Sequence, residues 1–422
     1  MNLRERLPAL ASRDYRLWFA GQGISVIGTW LQNTGQAWLV LKLTNSPLKL
    51  GILTSVQYLP SLLLSLFIGP IIDRFPKRSI LLWTQSLFAL LAALLAGIVF
   101  SGQERYWHVL AIAACTGLVT AVDWPARQSF VSEQVEDRDA VVNAIALNST
   151  IFNIARVLGP AISGALIAVV GIPWTFALNA VSYLAVIAGL WAMRSGRVAY
   201  APGSGHWRGD IREGLLYIRK RKSIAVLLII VGFISTFLLN FNILIPSYAR
   251  LTLRLGAERY GLLMSAMGVG SMLAGILMSL GGRSLQPKPA YIFGAGFVLS
   301  IGMILIGLQH NFIISAVLLA ACGFGMSAFA TMCNTSVQIQ SSPAMRGRVM
   351  AAYNLVFVGS TPIGSLYTGQ LSDALGSSAG FLVSGMIGLV FLLYMRLFVA
   401  PKVFGSIAAF AQLKDADEMK DE

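Results

Sequence analysis

Long apolar runs, each bounded by a short polar or basic stretch, repeat along the whole chain. They lie near residues 16–41, 50–72, 79–101, 107–131, 141–169 and 173–194. After a polar break they resume near 224–248, 258–281, 290–309, 312–338, 348–371 and 377–398. A helix needs ~20 apolar residues to cross a bilayer, so each run is long enough. The pattern predicts an all-α membrane protein with twelve transmembrane helices. An even number of crossings returns both termini to one side.

Composition agrees with that reading. At 422 residues, a soluble chain would hold two or three domains. Here 56% of residues are hydrophobic, 12% are charged and the mean hydropathy is +0.70, against roughly 25% charged in soluble proteins. Cys115, Cys322 and Cys333 are few, odd in number and inside apolar runs, which argues against a disulfide framework. No cleavable leader is expected, because residues 1–15 are polar and carry Arg4, Arg6 and Arg13.

The net charge of +14 is placed between the runs rather than on a soluble face, so nucleic acid is not the expected partner. With the N-terminus cytoplasmic, the inner segments hold twenty-four Lys/Arg and the outer loops six, with Arg127 and Arg156 inside runs. The positive-inside rule then puts both termini in the cytoplasm. The expected order is a cytoplasmic N-terminus (1–15), a six-helix bundle (16–194), a cytoplasmic linker (195–223), a second bundle (224–398) and a cytoplasmic tail (399–422). In the linker, Ile211, Leu215 and Ile218 recur at helical spacing with Arg208, Arg212 and Arg219 on other faces, as in an amphipathic helix at a membrane surface. The acidic stretch 415–422 reads as a solvated end.

The two halves resemble each other. Gly51-Ile52-Leu53-Thr54-Ser55 opens the second run and Gly261-Leu262-Leu263-Met264-Ser265 the eighth. His108 pairs with His310, and Pro160 with Pro362, at the same offset. A six-plus-six duplication follows, an arrangement in which transporters place the substrate between repeats near the midplane.

The loop after the second run reads Gly69-Pro70-Ile71-Ile72-Asp73-Arg74-Phe75-Pro76-Lys77-Arg78. It resembles the G-x-x-x-D-R-x-x-R/K-R signature of the major facilitator superfamily, which implies two pseudo-symmetric six-helix bundles. Gly69 permits close helix approach. Asp73 suits the positive N-terminal end of a helix in the opposite half, and Arg74, Lys77 and Arg78 suit acidic partners or lipid headgroups. The second copy, Gly281-Gly282-Arg283-Ser284, lacks the acid.

In the fifth run, Gly159-Pro160-Ala161-Ile162-Ser163-Gly164 resembles the G-P-x-x-G-G element of exporters in that superfamily, with Ser163 at the first glycine of the pair. Trp124-Pro125-Ala126-Arg127-Gln128, the run Asn143-Ala144-Ile145-Ala146-Leu147-Asn148 through Pro160, and Glu213-Gly214-Leu215-Leu216-Tyr217-Ile218 are similar to the branch of enterobactin exporters and macrolide-efflux permeases. The resemblance spans about residues 10–400. It implies a proton-coupled exporter of bulky, partly apolar small molecules in a bacterial cytoplasmic membrane, working as a monomer without cofactor or metal.

Polar residues inside apolar runs mark the path, since ionisable and polar groups in lipid face the interior. Gln22, Thr29, Asn33 and Gln36 share one face of the first helix; Thr116, Thr120, Asp123 and Arg127 share one of the fourth. Thr236 and Asn240 in the seventh, and Ser327, Thr331, Asn334 and Gln338 in the tenth, complete the expected cavity lining. Interhelical hydrogen bonding, worth ~0.6 kcal/mol per contact on average, is the competing explanation.

Three roles are open to Asp123: a latch to Arg74 or Arg78, a proton carrier, or a local i,i+4 pair with Arg127. Arg156 shares a face with Asn148 and Phe152 and cannot shed its charge. It must face an acid (Asp123 among them), a cavity or an anionic ligand. No G-x-x-x-x-G-K-[ST] loop supports an ATP-driven pump, and no H-E-x-x-H or G-x-S-x-G supports a membrane enzyme. A non-transporting receptor or scaffold is the remaining alternative of another class.

Overall fold

Lipid offers no partner to a backbone amide or carbonyl, so each apolar run should satisfy its own groups as helix. The computed structural model describes residues 8–72, 74–134, 138–193, 207–280 and 288–403, and helix dominates them. A tight turn, Pro8–Ala11, leads into α1 (Arg13–Thr44), α2 (Pro47–Ile72), α3 (Lys77–Phe100), α4 (Tyr106–Glu133), α5 (Arg138–Val169) and α6 (Pro173–Ala192). The linker helix α7 (Trp207–Lys220) precedes α8 (Lys222–Phe237), α9 (Phe241–Ser247), α10 (Ala257–Leu280), α11 (Pro289–Leu308), α12 (Phe312–Gln340), α13 (Arg346–Leu375) and α14 (Ser377–Tyr394). Asp73, residues 194–206, the second-copy loop 281–284 and the tail 415–422 lie outside the described residues.

Ten of these segments are long and apolar enough to cross a bilayer by length and composition. With α1 (32 residues) and α2 (26 residues) they make twelve crossings. Gln22, Gln32, Asn33 and Gln36 make α1 more polar than the rest, and all four belong to the interior described below.

The seventh crossing departs from expectation. Residues 224–248 read as one run, yet the helix stops after Phe237, restarts at Phe241 and ends in a wide turn, Tyr248–Thr252. At the break, the Asn240 amide turns back to Thr236 O (2.7 Å). Gly364 of α13 sits so close that a Cβ there would lie 2.8 Å from Asn240 Oδ1.

Packing repeats between the halves. α2 lies along α4, α4 along α3 and α3 along α6; in the second half α10 lies along α12, α12 along α11 and α11 along α14. The halves meet through two equivalent pairs, α2 with α13 and α5 with α10. Tyr248, Leu263, Leu299, Phe329 and Phe381 are fully buried in the second bundle. Trp83, Val181, Val390 and Ile313 point outward, an apolar surface suited to acyl chains rather than water.

The linker helix is tied to the second bundle. Arg348 Nη1 donates to Glu213 Oε2 (2.7 Å), and the Ser342 amide donates to the Tyr217 hydroxyl (3.1 Å). Hydrogen bonds from Ser342, side chain foremost, hold the Tyr217 phenol below its ordinary pKa.

Candidate functional site

The face where α1 begins is called here the terminus face, and the opposite one the distal face. Both cross-half contacts close the molecule toward the distal face, and both use the same Gly-x-x-x-Ser element. On α2, Gly51 meets the backbone of Ser365 and Gly369, and Ser55 Oγ donates to Pro362 O (2.5 Å). On α10, Gly261 meets Pro160 O and Gly164, and Ser265 Oγ donates to Val157 O (2.6 Å). Lone Ser-to-carbonyl bonds contribute modestly, but glycine lets the two backbones touch, which no larger residue allows. At the distal rim, Asp373 Oδ1 accepts from Ser46 Oγ (2.6 Å) and from the Leu48 amide (3.3 Å). A carboxylate of α13 thereby caps the positive N-terminus of α2 in the other half. Among the described glycines farther toward the terminus face, Gly359 meets Leu62 and Gly268 meets the Arg156 backbone across the halves.

Behind this closure lies a cavity of about 140 Å³. Trp30, Asn33, Thr34 and Gln36 of α1 and Leu53, Thr54, Gln57 and Tyr58 of α2 line one wall; Asn242 of α9 and Tyr260 and Met264 of α10 line the other. It therefore lies between the halves. Its walls mix aromatic rings with amides and hydroxyls, the usual make-up of a small-molecule pocket. Trp38 stacks on Tyr260 (5.4 Å between centroids) just beyond it.

The exporter-like element of α5 serves two interfaces. Gly159 accepts Trp30 of α1 against its backbone, and Gly164 accepts Ala257 and Glu258 of α10. Ser163 fills the glycine position usefully: its buried hydroxyl donates to Leu31 O (3.0 Å). Thus Trp30 is positioned by the same helix that closes the distal face.

Asp123 is buried (4% exposed) and fully engaged. Oδ1 accepts from Thr84 Oγ1 (2.6 Å) and Gln85 Nε2 (2.8 Å) of α3; Oδ2 accepts from Arg127 Nε (2.9 Å) and Nη2 (2.7 Å). Arg127 also donates to Gln22 of α1 and lies over the Trp18 ring (5.7 Å). The expected i,i+4 pair with Arg127 is therefore present in this state. Arg78 is elsewhere, donating to Leu190 O (2.8 Å) and Trp191 O (3.3 Å) at the end of α6. Lys77 is buried and donates to Ile72 O (2.9 Å) at the end of α2. Through these bonds the two bases sit on the negative C-terminal ends of helices in their own half. Arg74 is exposed. Asp73 lies outside the described residues, and Gly69 is in α2.

Arg156 does not pair with Asp123. Its guanidinium lies 5.9 Å from the Trp30 ring centroid. Asn148 and Phe152 share its face, both half-buried, with Phe152 edge-on to Trp124.

The remaining expected lining residues divide. Asn33 and Gln36 are in the cavity wall. Gln22 is buried (1% exposed) in the Arg127 cluster. Thr29, Thr120 and Thr236 bond the carbonyl one turn back, at Ser25, Thr116 and Gly232. Asn240 caps the break in the seventh crossing. Gln338 Nε2 donates to Asn334 Oδ1 (2.6 Å), on the α12 face with Ser327 and Thr331.

Sequence reasoning missed the contributions of α2 and α10, because Tyr58, Tyr260 and Gln57 read as ordinary members of apolar runs. It also missed a buried amide pair: Asn179 Nδ2 of α6 donates to Gln32 Oε1 of α1 (2.7 Å).

Comparison with known proteins gives the same picture. Residues 7–415 match the family described as transmembrane secretion effector. The chain is 24% identical over 377 residues to the staphyloferrin A transporter of Staphylococcus aureus, covering 88% of this chain and 92% of that one. It is 21% identical to macrolide efflux protein A of Streptococcus pyogenes, again covering 88% and 92%. Among solved structures, the nucleoside transporter NupG superposes with a TM-score of 0.71 at 12% identity, covering 94% of this chain and 100% of that one. At that identity the likeness shows the fold alone.

Proposed function

The chain belongs to the transmembrane secretion effector family of major facilitator transporters, and from that premise we propose that it exports small amphipathic molecules by alternating access, driven by inward proton movement. That it is a multi-pass membrane transporter rather than an enzyme follows from the family and its relatives. Direction, coupling and mechanism are the proposal.

One observation carries it: a mixed aromatic and polar cavity between two pseudo-symmetric halves, closed on one side by two equivalent glycine contacts. Contacts of this kind can be made and broken as the halves rock, exposing the same cavity alternately to the two sides. The charge bias puts the terminus face and both chain ends in the cytoplasm of a bacterial cell, and the closed distal face outside. In this arrangement the cavity receives its cargo from the cytoplasm or inner leaflet. Efflux named for one relative and the Gly-Pro element of α5 favour export over uptake. The working unit is the single chain, since both halves of the site lie within it.

Asp123 is the coupling residue of this reading. The other carboxylates described near spans, Glu104, Glu258 and Asp373, sit at or beyond helix ends. A proton on Asp123 would weaken its pair with Arg127 and its bonds to Thr84 and Gln85 of α3, and let the first bundle rearrange. A charge crossing the full membrane potential gains ~2.3 kcal/mol per 100 mV, enough for one or two protons to drive a neutral cargo outward.

The test is transport in everted vesicles from a host lacking its own exporters, with a panel of drugs and siderophores. Vesicle uptake that collapses with the proton gradient supports the proposal. Uptake indifferent to the gradient refutes coupling, and movement of no compound refutes export.

A further inference from the structure

Deep within the spans of the first bundle, the described residues hold two arginines, Arg127 and Arg156, and one carboxylate, Asp123. Asp123 has both oxygens committed, to Thr84, Gln85 and Arg127. Arg156, eighteen residues into α5 and in the middle of the Ala140–Val169 span, has no carboxylate within salt-bridge distance among the described residues. Its described contact is the Trp30 ring at 5.9 Å. Guanidinium keeps its charge at any physiological pH, and an aromatic face compensates only part of the cost of removing it from water.

The surroundings say what kind of counter-charge fits. The Trp30 ring that lies 5.9 Å from the Arg156 guanidinium also lines the central cavity, so a single aromatic side chain links the charge to the cavity wall. Along α5, Phe152 and Asn148 follow on the same face, and Trp124 packs edge-on to Phe152 (6.1 Å). A fixed cation flanked by aromatic surface and an amide matches a molecule with an anionic head and a flat or apolar body. Arginine's planar fork further favours a carboxylate-type group, which it can hold through two parallel bonds.

We propose that Arg156 is the anion anchor of the central cavity and that the transported class is organic anions with an aromatic or apolar body. This rests on the transporter reading and narrows it, because amphipathic cations are repelled from the same position.

The full chain, purified and reconstituted in proteoliposomes, is given three probes with one aromatic body: 2-naphthoate, 2-naphthamide and 2-naphthylmethylammonium. Binding is read by equilibrium dialysis with tritiated probes, and transport by accumulation under an imposed proton gradient. Wild type should bind 2-naphthoate at least tenfold more tightly than either analogue. Arg156→Gln should erase that preference, and Arg156→Lys, which keeps charge but not the fork, should retain part of it. Carboxylate binding no tighter than amide, or a preference that survives in Arg156→Gln, overturns the anchor. The wild-type comparison needs no variant to fold. Gradient-driven movement of the cation or of ethidium without carboxylate preference would sink the anchor and leave export standing. Selective 2-naphthoate binding with no movement of any probe would do the reverse.

Discussion

Replacing Gly164 by alanine should shift the protein toward a state open at the distal face. A Cβ at Gly164 would lie 2.6 Å from Ala257 O and 3.1 Å from Glu258 Cα, both backbone atoms of α10 that cannot swing aside. Ordinary contact begins near 3.4 Å, so α5 and α10 must separate by about 0.8 Å at this point. Overpacking of this size costs ~1–3 kcal/mol. The cost falls only on the conformation in which the two helices touch, so it acts on the equilibrium between states. That corresponds to a shift of roughly 5- to 150-fold. Spin labels at Lys49→Cys and Ala374→Cys, in a Cys115→Ser background, report the distance between exposed ends of α2 and α13, remote from the substitution. Pulsed dipolar spectroscopy should show a longer-distance population growing in Gly164→Ala. An unchanged distribution would refute the idea that the two glycine contacts close the distal face together.

Other consequences follow from the same contacts. Asp123→Asn leaves Arg127 buried without its carboxylate, which should destabilise the purified protein by ~3–5 kcal/mol; Asp123→Asn with Arg127→Gln should recover part of the lost melting temperature. Asn179→Ala strands the Gln32 amide in a dry helix interface and should cost ~1–3 kcal/mol, read in the same melting assay, whereas a change at exposed Asn33 should leave stability nearly unaltered. Glu213→Ala removes an ion pair at the surface of α7 and should cost less than ~1 kcal/mol; a larger loss would mean that the linker helix is held mainly by that pair.

The twelve crossings were legible because lipid enforces one rule, long apolar helix, that hydropathy reads directly. The pairing of halves was legible too: Gly51 to Ser55 and Gly261 to Ser265 matched in sequence because they perform the same docking on α13 and α5. The break at residues 238–240 was not, since Leu238 and Leu239 are as apolar as their neighbours and the helix that packs against the break, through Gly364, is distant in sequence. Within the site, spacing alone offered Arg127 as a partner for Asp123. Thr84, Gln85 and Gln22 entered only when α1, α3 and α4 came together. Polar residues in helices do not declare whether they face a cavity or one another, so Asn33 and Gln22, alike in sequence, ended in different places. Arg156 stood out in the sequence as a charge needing explanation; that Asp123 would be saturated elsewhere required the packing.

Alternation of the two halves about the cavity is tested most directly by bridging the distal rim. In a Ser46→Cys and Asp373→Cys chain, positions that touch across the halves, a short bis-methanethiosulfonate reagent should tie α2 to α13 and stop transport, with activity returning when reductant cuts the bridge. Each single-cysteine chain treated alike should keep its own activity. Full transport by the bridged protein would contradict the account.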